Sequence, residues 1–289
     1  MRRLLVVTLL ATAACARARV EDHLPQLPFA TDSVYSQRVS DGVMRWYIHS
    51  PTGPWGISVL QIDLDRCNRA VAVKGGDSAA GRTKTTALLG DRSKREHVVG
   101  GVNADFFSLK DGTPVGLLVV DGRMITPPGK QSVLAVDSAG VPHIDFFKQS
   151  GTTLLPFYPL EAVGGRPRIV QDSAIAPEVD TFGQASFSVG RNPRTAAGIA
   201  RDGRRLILAV IDGRQKPYSD GMSLRETATL MLALGARDAI NLDGGGSSTL
   251  VYADPDASGA LRIANRPSDK GGERAVGDAL AIVDRCQRD

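Results

Sequence analysis

The chain has 289 residues, 42% hydrophobic and 23% charged, so it is long enough to bury a sizeable core and sits near the globular average. Its formal charge is +4, with no run of five like charges and no stripe mixing Lys or Arg with aromatics. These properties exclude a fibre or a largely disordered chain and argue against a nucleic-acid partner.

The first residues read as an address. Arg2 and Arg3 precede the apolar stretch Leu4 to Ala14, too short to cross a bilayer and patterned as an export signal over residues 1–15. Cys15 follows Thr12-Ala13-Ala14, which resembles a bacterial lipobox with Thr12 where Leu or Val is usual. On that reading Cys15 is acylated and anchors an exported protein at a periplasmic or cell-surface membrane; cleavage nearby by an ordinary signal peptidase is the plainer alternative. Removing Arg2 and Arg3 takes the charge from +4 to +2, which weakens a polyanion argument further. Residues 16–40 are polar and irregular and predict a flexible tether, leaving 41–289 as the folded domain.

From Val43 the pattern is strand-rich. Arg45 to His49 and Ile57 to Leu64 alternate or run apolar between Pro51, Gly53 and Pro54. Gly75 to Lys84 reads as a loop before a short helix near Thr85 to Leu89, and strands are expected at 98–102, 116–120, 132–136 and 143–147. Asp-Gly pairs at Asp111, Asp121, Asp202 and Asp212 stand beside apolar runs and signal hairpin turns. Residues 150–185 carry several prolines and little pattern, as a long excursion or a lid would. Cys67 and Cys286 each end a strand-like run, so in an oxidising compartment a disulfide between them is expected, with two free thiols as the alternative.

The clearest helix starts at Ser223, where Ser223-Leu224-Arg225-Glu226 has the form of a capping box. Leu224, Ala228, Met231 and Leu232 then make one apolar face, and Gly235 suits the closing position. A strand over Asp238 to Leu242 follows. Strands and helices do not alternate regularly, which disfavours a doubly wound fold. The expected class is α+β: a single domain with a mostly antiparallel or mixed twisted sheet and a few flanking helices.

Two segments share a pattern: Asn103-Ala104-Asp105 and Asn241-Leu242-Asp243 both place an amide and a carboxylate two residues apart at the end of an apolar strand. Residues i and i+2 of a strand project from one face. A simple turn start explains one copy, but Asp243 precedes Gly244-Gly245-Gly246, and three glycines are costly unless the backbone must bend unusually or approach something closely. Such a loop forms a concave nest of amides for an anion, with Ser247, Ser248 and Thr249 as further donors. Arg194, in Asn192-Pro193-Arg194-Thr195, suits a bidentate grip on phosphate or, more plainly, a salt bridge. A hairpin turn accounts for Asp212 and the capping box accounts for Glu226 without any catalysis. His23, His49, His97 and His143 stand outside these motifs without metal-ligand spacing. The stretch from Asp254 to Gly259 looks like the start of a calcium loop, but its twelfth position is Asn265, not Glu.

In this order, Asn103-Ala104-Asp105-Phe106-Phe107, Arg194-Thr195, Asp212-Gly213, Glu226, Asn241 through Thr249 and Arg274-Ala275-Val276 resemble the phosphodiester glycosidase family over roughly residues 100–283. Ala104 stands where that family often has Gly. The resemblance implies hydrolysis of a sugar-1-phosphodiester, of the N-acetylglucosamine-1-phosphate or surface-polysaccharide type, with no organic cofactor. It implies Asp243 as base or nucleophile, and Asp105 or Glu226 as a second carboxylate, with Asp212 a further catalytic candidate. Arg194 and the Gly244–Gly246 amides are then expected to hold phosphate, and Asn103 and Asn241 the sugar hydroxyls. Thr195, Ser247, Ser248 and Arg274 complete the expected substrate contacts. Two other readings stand beside it: a non-catalytic exopolysaccharide-binding or assembly protein, and a metal-dependent phosphodiesterase with Asp105, Asp212 and Asp243 around a divalent ion.

Overall fold

A computed structural model describes residues 24–64, 67–76 and 78–286. The export signal, Cys15 and the start of the expected tether lie outside these residues.

The described strands build three main sheets, and every pairing among them is antiparallel. The largest has eight strands, in the order Ser33–Ser40, Val43–Ser50, Trp55–Asp63, Arg205–Ile211, Arg194–Ala200, Ala236–Asn241, Arg168–Gln171 and Ala174–Ile175. A five-stranded sheet runs Ala260–Ile263, Leu250–Asp254, His97–Asn103, Ala279–Asp284, Asn68–Val73. Another five-stranded sheet is built from residues 118–165.

Period-two patterning sorts the side chains of the large sheet. Trp46, Ile48, Ile57 and Val59 lie on the face that joins the cluster holding Leu224, Ala228 and Met231 of the helix Leu224–Ala233. On the opposite face Leu60, Ile62 and Leu208 join Val102 and Leu280 of one five-stranded sheet and Leu134 and Val163 of the other. All three sheets therefore share one core, which places the ends of His97–Asn103 and Ala236–Asn241 against each other. Each fully buried aliphatic side chain contributes about 1.5–3 kcal/mol to this arrangement. The helix carries the expected capping box: Ser223 Oγ accepts from Glu226 N, and the Glu226 carboxylate accepts from Ser223 N.

Cys67 and Cys286 form a disulfide across adjacent strands, since Asn68 pairs with Asp284. Closing a loop of 219 residues is worth ~5 kcal/mol in the chain-entropy account. Asp121 and Gly122 both adopt positive φ, as the tight turn joining Leu118–Val120 to Arg123–Thr126 requires. Asp202-Gly203 likewise turns between Arg194–Ala200 and Arg205–Ile211.

Some expectations fail. Ser33–Ser40, inside the segment read as a tether, pairs with Val43–Ser50 as the edge strand of the large sheet, so pairing overrides its polar composition. Residues 150–185 are not a lid: Glu161–Gly165 and Arg168–Gln171 are internal to two sheets. Their apolar runs are only four or five residues long, too short to stand out among the prolines. Asp254 to Gly259 turns between two strands, and Asn265 is turned inward to Asp212 and Leu250.

Candidate active site

The two Asn-x-Asp segments meet where two sheets touch. Asp243 N donates to Ala104 O at 2.9 Å, and Asn103 Nδ2 donates to Asp243 O at 2.7 Å. Asn103 Oδ1 accepts from Thr195 Oγ1 at 2.9 Å and from Thr249 N at 3.1 Å. Asn103 and Thr195 are fully buried, so both fasten strand ends together and neither reaches a ligand. Asn241 is also buried; its Nδ2 donates to Arg166 O.

Beyond this junction lies a cleft of about 460 Å³, walled by Asp243, Gly244, Gly245, Arg194, Arg214 and Arg274, with the rings of Phe106 and Phe187 on its flanks. Asp243 is the one carboxylate among these lining residues. Burial pushes its pKa up to about 6, against the pull of Ser247, the Gly244 amide, Arg274 and Arg166. Ser247 Oγ approaches Asp243 without making a hydrogen bond of good geometry.

The glycines allow close packing. A Cβ on Gly244 would stand 2.7 Å from Pro193 O, and one on Gly246 would overlap both Asp269 and Arg274. Gly245 alone has positive φ, and its amide donates to Pro193 O. The Gly244 amide points at Asp243 itself. Two of the three amides are thus taken by protein acceptors, and the hydroxyls of Ser247, Ser248 and Thr249 are buried.

Cations line the cleft instead. Arg274 lies on Gly246, held by Asp269 at 2.8 and 3.0 Å, and remains about one-third exposed. Arg214, at positive φ, donates to Asn192 Oδ1 at 2.9 Å. Arg166 stacks over Phe106, 4.9 Å from its centroid. Arg194 departs from expectation: its Nε and Nη2 donate to the carbonyls of Met222, Phe187 and Gly190, and it is 2% exposed. Burial and Arg214 lower its pKa to about 10, so it stays charged and adds to the positive field. Sequence reading missed Arg214, which directly follows the Asp212-Gly213 pair read as a turn, and Arg166, which carries no motif.

The remaining carboxylates lie outside the cleft lining, although Asp278 is near enough for the Asp243 charge to raise its pKa. Asp105 is sealed in: its oxygens accept from Gly116 N at 3.2 Å and Gly164 N at 2.8 Å, and a Cβ on either glycine would press on the carboxyl. Beside it, fully buried Asp278 accepts from Asp105 N at 2.7 Å. Burial, then mutual repulsion, raises Asp105 well above the usual carboxylate range, and burial raises Asp278. Both carboxyls are thereby biased towards the neutral form. Asp278 was not singled out from the sequence.

Asp212 is a structural hub, accepting from Asn265 Nδ2, Arg266 N and Tyr218 Oη, with burial raising its pKa to about 6. Glu226 lines a different cleft with Trp55 and Met222. Burial opposes its ionisation, but Arg191 and the Ser223 amide win and hold its pKa low. Neither Asp212 nor Glu226 reaches Asp243. Asp105, Asp212 and Asp243 do not converge: among the described residues the one cluster with metal-ligand spacing is Cys67, Asp284 and Cys286, two of which are the disulfide.

Fold and site together define an α+β protein whose cleft sets one raised-pKa carboxylate among arginines at a sheet junction. Residues 96–283 match the family described as phosphodiester glycosidase, and the chain belongs to that family. The search of curated proteins finds no match. Among solved structures, a hypothetical protein from Synechocystis aligns at TM-score 0.68 and 15% identity, covering 88% of this chain and 64% of that one. This chain thus spans less than two thirds of that protein. The zebrafish N-acetylglucosamine-1-phosphodiester alpha-N-acetylglucosaminidase catalytic domain, auto-inhibited by its pro-peptide, aligns at 0.65 and 21% identity, covering 88% and 83%. A Burkholderia pseudomallei protein described as exported aligns at 0.62 and 22%, covering 83% and 76%. At these identities the likeness is one of fold.

Proposed function

We propose that this chain is an exported glycosidase that hydrolyses the sugar–phosphate bond of a sugar-1-phosphodiester. The observation that carries the reading is Asp243, a carboxylate facing a cleft among Arg214 and Arg274. Family membership supports the reaction class; the disulfide fits an oxidising compartment outside the cytoplasm.

Cleavage at C1 passes through an oxocarbenium-like state, which an ionised carboxylate stabilises or relieves by activating water. In the proposed step the C1–O bond breaks and its electron pair leaves on the phosphate oxygen. Water adds to C1, and Asp243 takes its proton. The leaving group is already an anion, so it needs little protonation, and fixed arginines can stabilise it. That accounts for a cleft with one carboxylate where most glycosidases need two. Arg274 and Arg214 are assigned to the phosphate, with Arg194 and Arg166 supplying field rather than contact.

The test is turnover of methyl-phosphate- or uridine-diphosphate-linked N-acetylglucosamine in oxygen-18 water. Label in the released sugar supports C–O cleavage at C1. Label in the phosphate would refute it in favour of attack at phosphorus.

A further inference from the structure

We propose that Phe106 and Phe187 are the seat of the sugar ring in the Asp243 cleft, taking a pyranose by its C–H face. The role of that sugar as substrate rests on the glycosidase reading; sugar binding itself does not. The reaction places C1 at Asp243 and the phosphate at Arg214 and Arg274, which lie against Gly245 and Gly246. Asn103 and Asn241, expected to meet the sugar hydroxyls, are instead buried at the sheet junction. The lining that remains for the sugar includes Phe106, Ser186 and Phe187. Both rings are half-buried, with centroids 6.1 Å apart and planes tilted by 60°.

Two tilted rings make a trough rather than a slot. An aromatic face is electron-rich, and the C–H groups of a pyranose, polarised by their oxygens, complement it. Ser186, exposed beside Phe187, offers a hydroxyl to the hydroxyls of the same sugar. A flat base stacks on parallel faces, which two rings at 60° cannot both present. An alkyl chain would strip water from the arginines of the same cleft without replacing it.

Both rings are fixed from behind, which lowers the ordering cost of binding. Arg166 stacks over Phe106 at 4.9 Å, and its own backbone is locked to Asn241: Arg166 N donates to Asn241 O at 2.7 Å and Arg166 O accepts from Asn241 Nδ2 at 2.8 Å. Phe187 stands on the short helix Ala185–Ser188. Buried Arg194 lies over its ring at 5.2 Å and donates to the carbonyls of Phe187 and Gly190. A buried guanidinium is thus turned on the backbone of the segment that carries the ring. Asn192 Nδ2 donates to Ser186 O at 3.0 Å and Gly190 O at 3.2 Å, while its Oδ1 accepts from Arg214 at 2.9 Å. One side chain therefore sets the spacing between the ring-bearing segment and an arginine of the phosphate seat.

The test is ligand-observed NMR titration of wild type, Phe106→Leu/Phe187→Leu and Phe187→Tyr, with thermal melts to check folding and Phe187→Leu alone as the milder variant. The probes are N-acetylglucosamine, glucose, mannose and galactose, with uridine as a flat ligand and inorganic phosphate as the control. At least one sugar is expected to bind wild type, with saturation passing from aromatic protons to its C–H protons. The double leucine variant should lose about tenfold in affinity for that sugar, with phosphate affinity unchanged, and Phe187→Tyr should keep the wild-type value. On a donor that turns over, the loss should appear in KM more than in kcat. Unchanged sugar affinity in the double variant, or no sugar binding by wild type, would overturn the proposal. Parallel loss of sugar and phosphate would also overturn it, since the rings then only shape the cleft. Loss confined to uridine would make them a seat for the leaving group instead. Sugar binding with the expected losses but no turnover of any donor sinks the glycosidase reading and leaves the sugar seat intact.

Discussion

Asn103-Ala104-Asp105 and Asn241-Leu242-Asp243 end neighbouring strands with the same spacing of amide and carboxylate, and the fold treats them oppositely. Asp105 is closed off by Gly116 and Gly164 beside buried Asp278, and burial with that neighbour raises its pKa. Asp243 turns into a cleft among arginines, its loop folded back by Pro193. The difference lies in what packs on each: a bend and a strand, each carrying a glycine, against Asp105, and an open junction against Asp243. One segment has become a fastening, and the other keeps a carboxylate available for chemistry. A repeated motif therefore need not mean a pair of catalytic groups.

The comparison can be broken by substitution. Asp243→Asn is expected to lower kcat by ~10³-fold or more while the protein melts at or above the wild-type temperature, because the change removes a buried charge. In wild type the activity should fall as pH drops through about 6, since protonation removes the working carboxylate. A flat pH profile between 5 and 7 would remove Asp243 from the role.

Gly246→Ala comes next. Its methyl displaces the Asp269–Arg274 pair, so kcat/KM should drop by ~10–100-fold with the fold retained, and Arg274→Gln should match it. Similar kinetics in wild type and both variants would place the phosphate elsewhere.

Asp278→Asn sharpens the other half. Its amide can donate permanently to Asp105 while Oδ1 still accepts from Asp105 N, so activity should remain within a few-fold. Both carboxyls have folded pKa values above their unfolded ones, so the native state binds the extra proton, and stability falls as pH rises through the native titration. The variant should lose less stability than wild type between pH 5 and 8, by ~1–3 kcal/mol in denaturant titrations. Parallel curves would show that the pair binds no extra proton in the folded state.

The smallest kinetic effect is expected at Glu226→Gln. Losing the Arg191 ion pair and weakening the cap should cost ~1 kcal/mol of stability, with kcat/KM changed less than threefold. A loss of a hundredfold in kcat would return Glu226 to the chemistry.

What the sequence determined by itself was what short-range chemistry writes into neighbouring residues. The Ser223–Glu226 cap, the Asp121-Gly122 turn and the alternation that makes two-faced strands all depend on residues within a few positions. The Asn241-to-Thr249 run and the order of the other motifs carried the family, which the match over residues 96–283 bears out. Cys67 and Cys286 were legible as a pair because two strand-end thiols remained in a chain patterned for export.

Only the tertiary structure decided which polar groups face a ligand. Asn103, Arg194, Asp212 and Glu226 each have the right chemistry for a site, yet partners 28 to 140 residues away claim them: Asp243 O, Met222 O, Asn265 and Arg191. Arg214 and Arg274 reach the cleft, and Asp278 seals Asp105, because strand order brings them there. Burial and partnership are long-range properties: the pairing of distant strands sets which of two identical carboxylates meets solvent and which meets a glycine.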